Sequence, residues 1–201
     1  MISFMKNPVI ILRMTNNCNL NCKYCYDKRN HFDSKMENYK IKSNLNQIVD
    51  NIVKIFQDDK SLSKIIFHGG EPLLVEPQVY ERLILKILEF RPNTKFSIQT
   101  NGTLLNNKFI DIFEKYNVNI GISIDGFDEN TNKYRIFKNG KNSFEKVKEK
   151  IDLLNERNIK FGTIISLSKE ITGHEEELYD FIDRNNLSCS IRPIFINSLR
   201  I

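Results

Sequence analysis

The 201-residue chain contains no alanine and no tryptophan. Asparagine, lysine and isoleucine are abundant instead, the compositional drift of an AT-rich genome. Such drift raises lysine without any selection for a polyanionic partner. Lys and Arg number 30 against 25 Asp and Glu, a net charge of +5, and no run of five or six basic residues concentrates it. Composition therefore argues against nucleic-acid binding. No apolar stretch reaches the ~20 residues of a transmembrane helix. The first six residues lack the charged region, long apolar region and small-residue cleavage site of a signal peptide. The expectations are no membrane partner and a cytoplasmic location. Low-complexity segments, linkers and internal repeats are absent too. With 40% hydrophobic and 27% charged residues the chain can bury a core rather than stay disordered. A single domain over residues 1–201 is expected.

Cysteine is scarce and unevenly placed. Cys18, Cys22 and Cys25 lie within eight residues, and Cys189 stands far from them. In a reducing compartment this clustering argues for metal rather than disulfides.

Short apolar runs alternate with amphipathic ones. Val9-Ile10-Ile11-Leu12 reads as a strand, followed by the Asn-rich loop that carries the three cysteines. Leu45, Ile48, Val49, Ile52, Val53 and Phe56 recur at helical spacing and predict a helix over 44–58. Ile65-Ile66-Phe67 is a strand ended by Gly69-Gly70, and Pro77 suits the first turn of the next helix. Phe96-Ser97-Ile98 is a strand that stops at Asn101-Gly102, and Asn106 can cap the helix after it. Ile120, Ile122 and Ile124 alternate up to Asp125-Gly126. Phe161, Thr163 and Ile165 alternate again, a helix follows near 174–185, and a sixth strand runs from Cys189 to Ile196. Six β units with helices between them make a parallel α/β fold. Periodicity alone leaves an open doubly wound sheet and a partial barrel both possible. In either, the carboxyl ends of the strands carry the chemistry. Cys189 reads as a small buried apolar residue, and His31 and His174 as surface residues.

Cys18 to Cys25 has the spacing C-x3-C-x2-C. Three thiolates on one loop can hold three corners of a cubane iron–sulfur cluster and leave the fourth iron open. A zinc site is the alternative, completed by Cys189 or His31.

This cysteine pattern, directly after the first strand of an α/β chain, resembles the radical S-adenosylmethionine (SAM) superfamily. The resemblance runs from Val9 to Phe195 and implies a partial (β/α)6 TIM-type barrel. It implies that Cys18, Cys22 and Cys25 hold a [4Fe-4S] cluster whose open iron binds SAM. One-electron reduction then cleaves SAM to a 5′-deoxyadenosyl radical. By the same resemblance Tyr24 contacts adenine, and Gly69-Gly70-Glu71-Pro72 matches a motif whose backbone binds the methionyl amino group. Glycines allow that close main-chain approach. His68 stands where relatives often carry Gln, in reach of SAM or substrate. Gln99-Thr100-Asn101-Gly102 places polar side chains toward cluster and substrate. The resemblance also implies that Ser123, with Arg135 twelve residues on, holds the carboxylate and ribose region of SAM, a task suited to the two-pronged guanidinium. Asp125 and Gln99 are the candidate active-site residues.

The strings HGGEPLL, QTNGTLL and SIDG, with the downstream arginine, resemble the branch that modifies peptides or matures sulfatases. A peptide or protein substrate and an external one-electron reductant of flavodoxin or ferredoxin type follow from that. Members usually carry a cysteine-rich C-terminal extension with auxiliary clusters. With three of four cysteines in one loop, a single cluster is expected here, with slow, unproductive SAM cleavage unless a partner or further chain completes the enzyme. The rival readings are a glycyl-radical activase, a non-enzymatic iron–sulfur electron carrier or sensor, and a zinc-binding interaction module.

Overall fold

The computed structural model of the chain describes residues 8–25, 27 and 41–194. His31, Phe195 and Ile196 lie outside the described residues. Strands and helices alternate as β1 (Val9–Thr15), α1 (Ile41–Asp58), β2 (Lys64–Gly69), α2 (Pro77–Phe90), β3 (Lys95–Thr100), α3 (Asn107–Lys115), β4 (Asn119–Ile124), α4 (Phe144–Glu156), β5 (Phe161–Leu167), α5 (Glu175–Arg184) and β6 (Ser188–Pro193). Single 3-10 turns occupy Pro72–Leu74 and Lys169–Ile171. The strands follow one another in chain order, the parallel α/β arrangement that the alternation predicts.

Two compact units divide the chain. The first carries β1, α1, β2, α2, β3 and α3. Its strands pair in parallel, with Ile10 opposite Ile65 and Ile65 opposite Phe96. Alternation in β2 and β3 buries Ile65, Phe67, Phe96 and Ile98 on one face. Helical spacing brings Val49, Ile52 and Phe56 of α1, Leu83 and Ile84 of α2 and Phe109 and Phe113 of α3 into the same core. Tyr80 stands at its centre, fully buried. Its ring meets Phe67, Phe109 and Phe113 edge-on, and its hydroxyl donates to the Pro72 carbonyl at 2.6 Å. Edge-on aromatic pairs each add about 0.5–1.5 kcal/mol beyond their buried area. Pro77 opens α2 as expected, and Asn106 caps α3 by accepting from the amides of Lys108 and Phe109.

The second unit carries β4, α4, β5, α5 and β6, together with Asn19 and the loop after it and Thr100–Leu104. Ile122 pairs with Thr163, and Thr163 with Cys189. Ile120, Ile122, Ile124 and Ile165 form the buried face with Val147, Ile151 and Leu154 of α4 and Phe181 of α5.

Along β2, β3, β4 and β5 the other face is half-buried and ends in polar side chains. In the first unit these are His68 and Gln99, and in the second Ser123 and Ser166. Helix α1 begins at Ile41, earlier than the apolar periodicity indicates, because Lys42, Ser43 and Asn44 give no apolar signal. Cys189 is exposed, not buried. Every position of β6 is exposed, and among the described residues β6 pairs with β5 alone. Alternation along an edge strand therefore buries nothing.

Candidate cofactor site

In the first unit the end of β1 and the turn after β2 are locked together. The β1–β2 ladder breaks register between Arg13 and Thr15, which pairs Thr15 with Gly69. The Gly70 amide donates to the Thr15 carbonyl and the Glu71 amide to the Asn17 carbonyl, both at 2.8 Å. Gly69 has φ +129, a conformation that L side chains rarely adopt. A Cβ on Gly70 would fall 2.6 Å from the Asn17 carbonyl carbon. Both glycines are thus required by protein packing, before any ligand is considered. The Glu71 side chain is buried and accepts from the Leu73 amide, capping the 3-10 turn at Pro72. His68 accepts the amide of Gly69 through Nδ1.

In the second unit the part of the loop that follows Cys18 is tied down twice. Asn19 engages Asn101 and Thr103 just past β3: Asn101 Nδ2 donates to Asn19 Oδ1 at 2.9 Å, and Asn19 Nδ2 donates to Thr103 Oγ1 at 2.8 Å. Further on, Leu20 forms an antiparallel bridge with Phe137. The Asn21 amide donates to the Ile136 carbonyl and the Lys23 amide to the Tyr134 carbonyl. A turn closed from the Cys25 amide to the Cys22 carbonyl follows. Thr100, Asn101 and Thr103 are buried, and Asn101 and Thr103 hold the loop at Asn19. Gln99 remains half-buried at the end of β3.

Beside the loop lies a buried polar group. The Tyr24 hydroxyl donates to Asp125 Oδ2 and accepts from Arg135 Nη1, the latter at 2.9 Å. Arg135 Nη1 stands 3.8 Å from Asp125 Oδ1. Burial raises the Tyr24 hydroxyl well above its ordinary pKa. Burial also raises the Asp125 carboxyl, against the pull of Arg135. Burial works to lower Arg135, but Asp125, Tyr24 and Cys22 outweigh it and keep the guanidinium charged. Ser166, which the sequence reading passed over, lies close enough to Tyr24 and Asp125 to pull both pKa values down against burial. Its signal was its position: it ends β5 on the half-buried face, as Ser123 does on β4. Arg135 is fixed through its carbonyl, which accepts from both the amide and the hydroxyl of Ser143. Asn132 supports the same loop by accepting from the Asp125 amide.

Two atoms of this group have no hydrogen-bond partner although buried: Asp125 Oδ1 and Arg135 Nε. Buried polar atoms are almost always satisfied, so an acceptor and a charged donor left open here fit a bound polar ligand. Cys18, Cys22 and Cys25 are half-buried and form no disulfide, a donor set suited to an iron–sulfur cluster. Among the described residues no three His, Cys, Asp or Glu side chains are already gathered as a metal site. Cys189 is exposed on β6, and His174 pairs with Glu177 on the surface of α5.

Similarity to known proteins agrees with this inventory. A family model described as the Radical SAM superfamily matches residues 12–182. The cysteine-type anaerobic sulfatase-maturating enzyme of Clostridium novyi (strain NT) is 31% identical over 185 residues, 89% of this chain and 48% of that protein. An uncharacterized protein of Methanocaldococcus jannaschii is 34% identical over 188 residues, 90% of this chain and 60% of its own length. The chain spans about half the length of the curated relatives it matches. Among solved structures, native anSMEcpe with bound AdoMet superposes with a TM-score of 0.77 at 22% identity, over 93% of this chain and 51% of that one. The same protein has also been solved with AdoMet and a Kp18Cys peptide. With the cysteine spacing, the strand-end motifs and the fold in agreement, the chain belongs to the radical SAM superfamily of enzymes, whose cofactors are S-adenosylmethionine and a [4Fe-4S] cluster.

Proposed function

We propose that this chain forms the core of a radical SAM enzyme that modifies a peptide or protein. The observation that carries the reading is the loop of three cysteines outside any disulfide, tied at Asn19 to the turn after β3 and at Asn21 to the loop between β4 and α4. When bound, the cofactors supply reductive cleavage of SAM and a 5′-deoxyadenosyl radical that takes hydrogen from the substrate. Cys18, Cys22 and Cys25 ligate the cluster. The turn Gly69-Gly70-Glu71 presents backbone carbonyls to the methionyl amino group, with His68 beside it.

Arg135 and Ser123 anchor the carboxylate and ribose region of SAM. Arg135 keeps a buried, open Nε–H for that purpose, and charge-assisted donors are the strong ones. Tyr24 offers its ring face to the adenine while its hydroxyl is held by Asp125 and Arg135. Asp125 thereby orients two SAM contacts, and Gln99 faces the substrate. The protein's part is orientation and shielding from water. A flavodoxin- or ferredoxin-type protein supplies the electron. The kinship with a sulfatase-maturating enzyme favours a peptide substrate.

The test is anaerobic reconstitution of the chain, reduction with dithionite and chromatography with SAM present. Formation of 5′-deoxyadenosine and methionine in equal amounts is expected. A reconstituted, reduced cluster that leaves SAM intact would refute the reading.

A further inference from the structure

The side chains of Asn19, Asn101 and Thr103 close a three-membered hydrogen-bond ring. Asn101 Nδ2 donates to Asn19 Oδ1 at 2.9 Å, Asn19 Nδ2 donates to Thr103 Oγ1 at 2.8 Å, and the Thr103 hydroxyl donates to Asn101 Oδ1 at 2.7 Å. The Thr103 amide reinforces it by donating to Asn101 Oδ1 at 3.0 Å. Each member both gives and accepts within the ring, an arrangement in which bonds polarise one another. Asn101 and Thr103 are buried, and Asn19 is half-buried. The ring joins positions 82 and 84 residues apart in sequence. Its loop-side member is the residue directly after Cys18.

We propose that Asn101 and Thr103 are positioning residues for the cysteine loop, fixing the backbone next to Cys18 through Asn19 without touching the cofactors or the substrate. The proposal deepens the reading of that loop as the cluster-binding one and rests on it. A ring of this kind demands specific chemistry at each corner. An amide at 101 must donate to Asn19 and accept from Thr103 together, which a carboxylate cannot do. A hydroxyl at 103 must also do both, which the isosteric valine cannot. The antiparallel contacts of Leu20, Asn21 and Lys23 hold the later part of the loop independently. On the other side of Cys18 the Asn17 carbonyl keeps its bond from the Glu71 amide, so loss of the ring loosens the chain between Cys18 and Leu20 more than at Cys25.

The test uses the metal-free chain first. Cys18 and Cys25 alkylation by iodoacetamide is followed by mass spectrometry at a pH where all thiols are ionised, so that rates report access rather than pKa. Thr103→Val and Asn19→Ala should each raise the Cys18 rate roughly tenfold, the equivalent of one net hydrogen bond. Cys25 should change less, and Thr103→Ser should return the Cys18 rate to that of the wild type. Melting of the metal-free chain identifies a variant that has lost its fold. Asn19→Ala, altered on the less buried side, decides the matter if Thr103→Val unfolds. In the reconstituted chain the same variants should lose iron to a chelator faster than the wild type. Unchanged Cys18 rates in the folded variants, or equal acceleration in Thr103→Ser, would overturn the proposal. Failure of the wild type to assemble a cluster would refute the proposed function and leave the alkylation result to judge the ring by itself.

Discussion

Arg135 reaches across 111 residues of sequence to donate from Nη1 to the Tyr24 hydroxyl at 2.9 Å, and that hydroxyl in turn donates a hydrogen bond to Asp125 Oδ2. The tyrosine lies between the second and third loop cysteines. The arginine sits in a loop whose backbone at Tyr134 and Ile136 also holds the cysteine loop. One short stretch of chain thus fixes both the loop and the cation beside it.

Tyr24→Phe removes the bridging hydroxyl and leaves two buried charges less well partnered. A loss of about 1–3 kcal/mol is expected in urea denaturation of the metal-free chain. Combined with Asp125→Asn, the two losses should fall short of their sum, because both act on one network. Strict additivity would show that the hydroxyl does not couple them.

Gly70→Ala places a methyl group against the Asn17 carbonyl. Backbone cannot move aside as a flexible side chain can, so a loss of about 1–3 kcal/mol is expected, typical of overpacking. Gly162→Ala is the control. Its Cβ would find only ordinary contact, 3.6 Å from the Ser188 carbonyl oxygen, and an unstrained alanine stabilises by about 0.4–1 kcal/mol. Equal melting temperatures for the two variants would contradict the close approach seen between the β2 turn and the end of β1.

Glu170 braces the loop that carries Arg135, accepting from Lys133 at 2.7 Å and from the Tyr134 hydroxyl at 2.9 Å. Burial works to raise its carboxyl, but these two donors prevail and hold the pKa down to about 2, against an ordinary 4.5. Stability from this brace is therefore complete above the unfolded value and fades as pH falls from there toward 2. Glu170→Gln should cost about 0.5–1 kcal/mol at pH 7, the scale of a partly exposed ion pair. The gap between wild type and variant should close on acidification. An unchanged gap at pH 3 would exclude the carboxylate as its source.

Local pattern made much of this legible from sequence. Strict alternation at Ile120, Ile122 and Ile124 marks β4, and Asn106 announces α3, because periodicity and capping are properties of neighbours in the chain. The glycine pair after β2 and the spacing of the cysteines were legible for the same reason. What escaped depends on pairing between distant segments. Nothing local tells Asn101 that it will meet Asn19, or Ser166 that it will meet Tyr24. Cys189 was misjudged because alternation reports which face a residue takes, not whether anything covers that face. The twelve-residue spacing from Ser123 singles out Arg135, but nothing local predicts that it is buried. Its burial follows from Ser143 and Asn132 folding the loop back, a long-range outcome.

The central claim is that Cys18, Cys22 and Cys25, and not Cys189, hold a cluster with one iron open to SAM. The most direct measurement is low-temperature electron paramagnetic resonance of the reduced, reconstituted chain with and without SAM. The wild type and Cys189→Ala should give a [4Fe-4S] signal that SAM reshapes, and alanine at position 18, 22 or 25 should abolish that SAM-sensitive signal. A SAM-sensitive cluster that survives loss of any loop cysteine, or that disappears with Cys189 alone in a folded chain, would contradict the account.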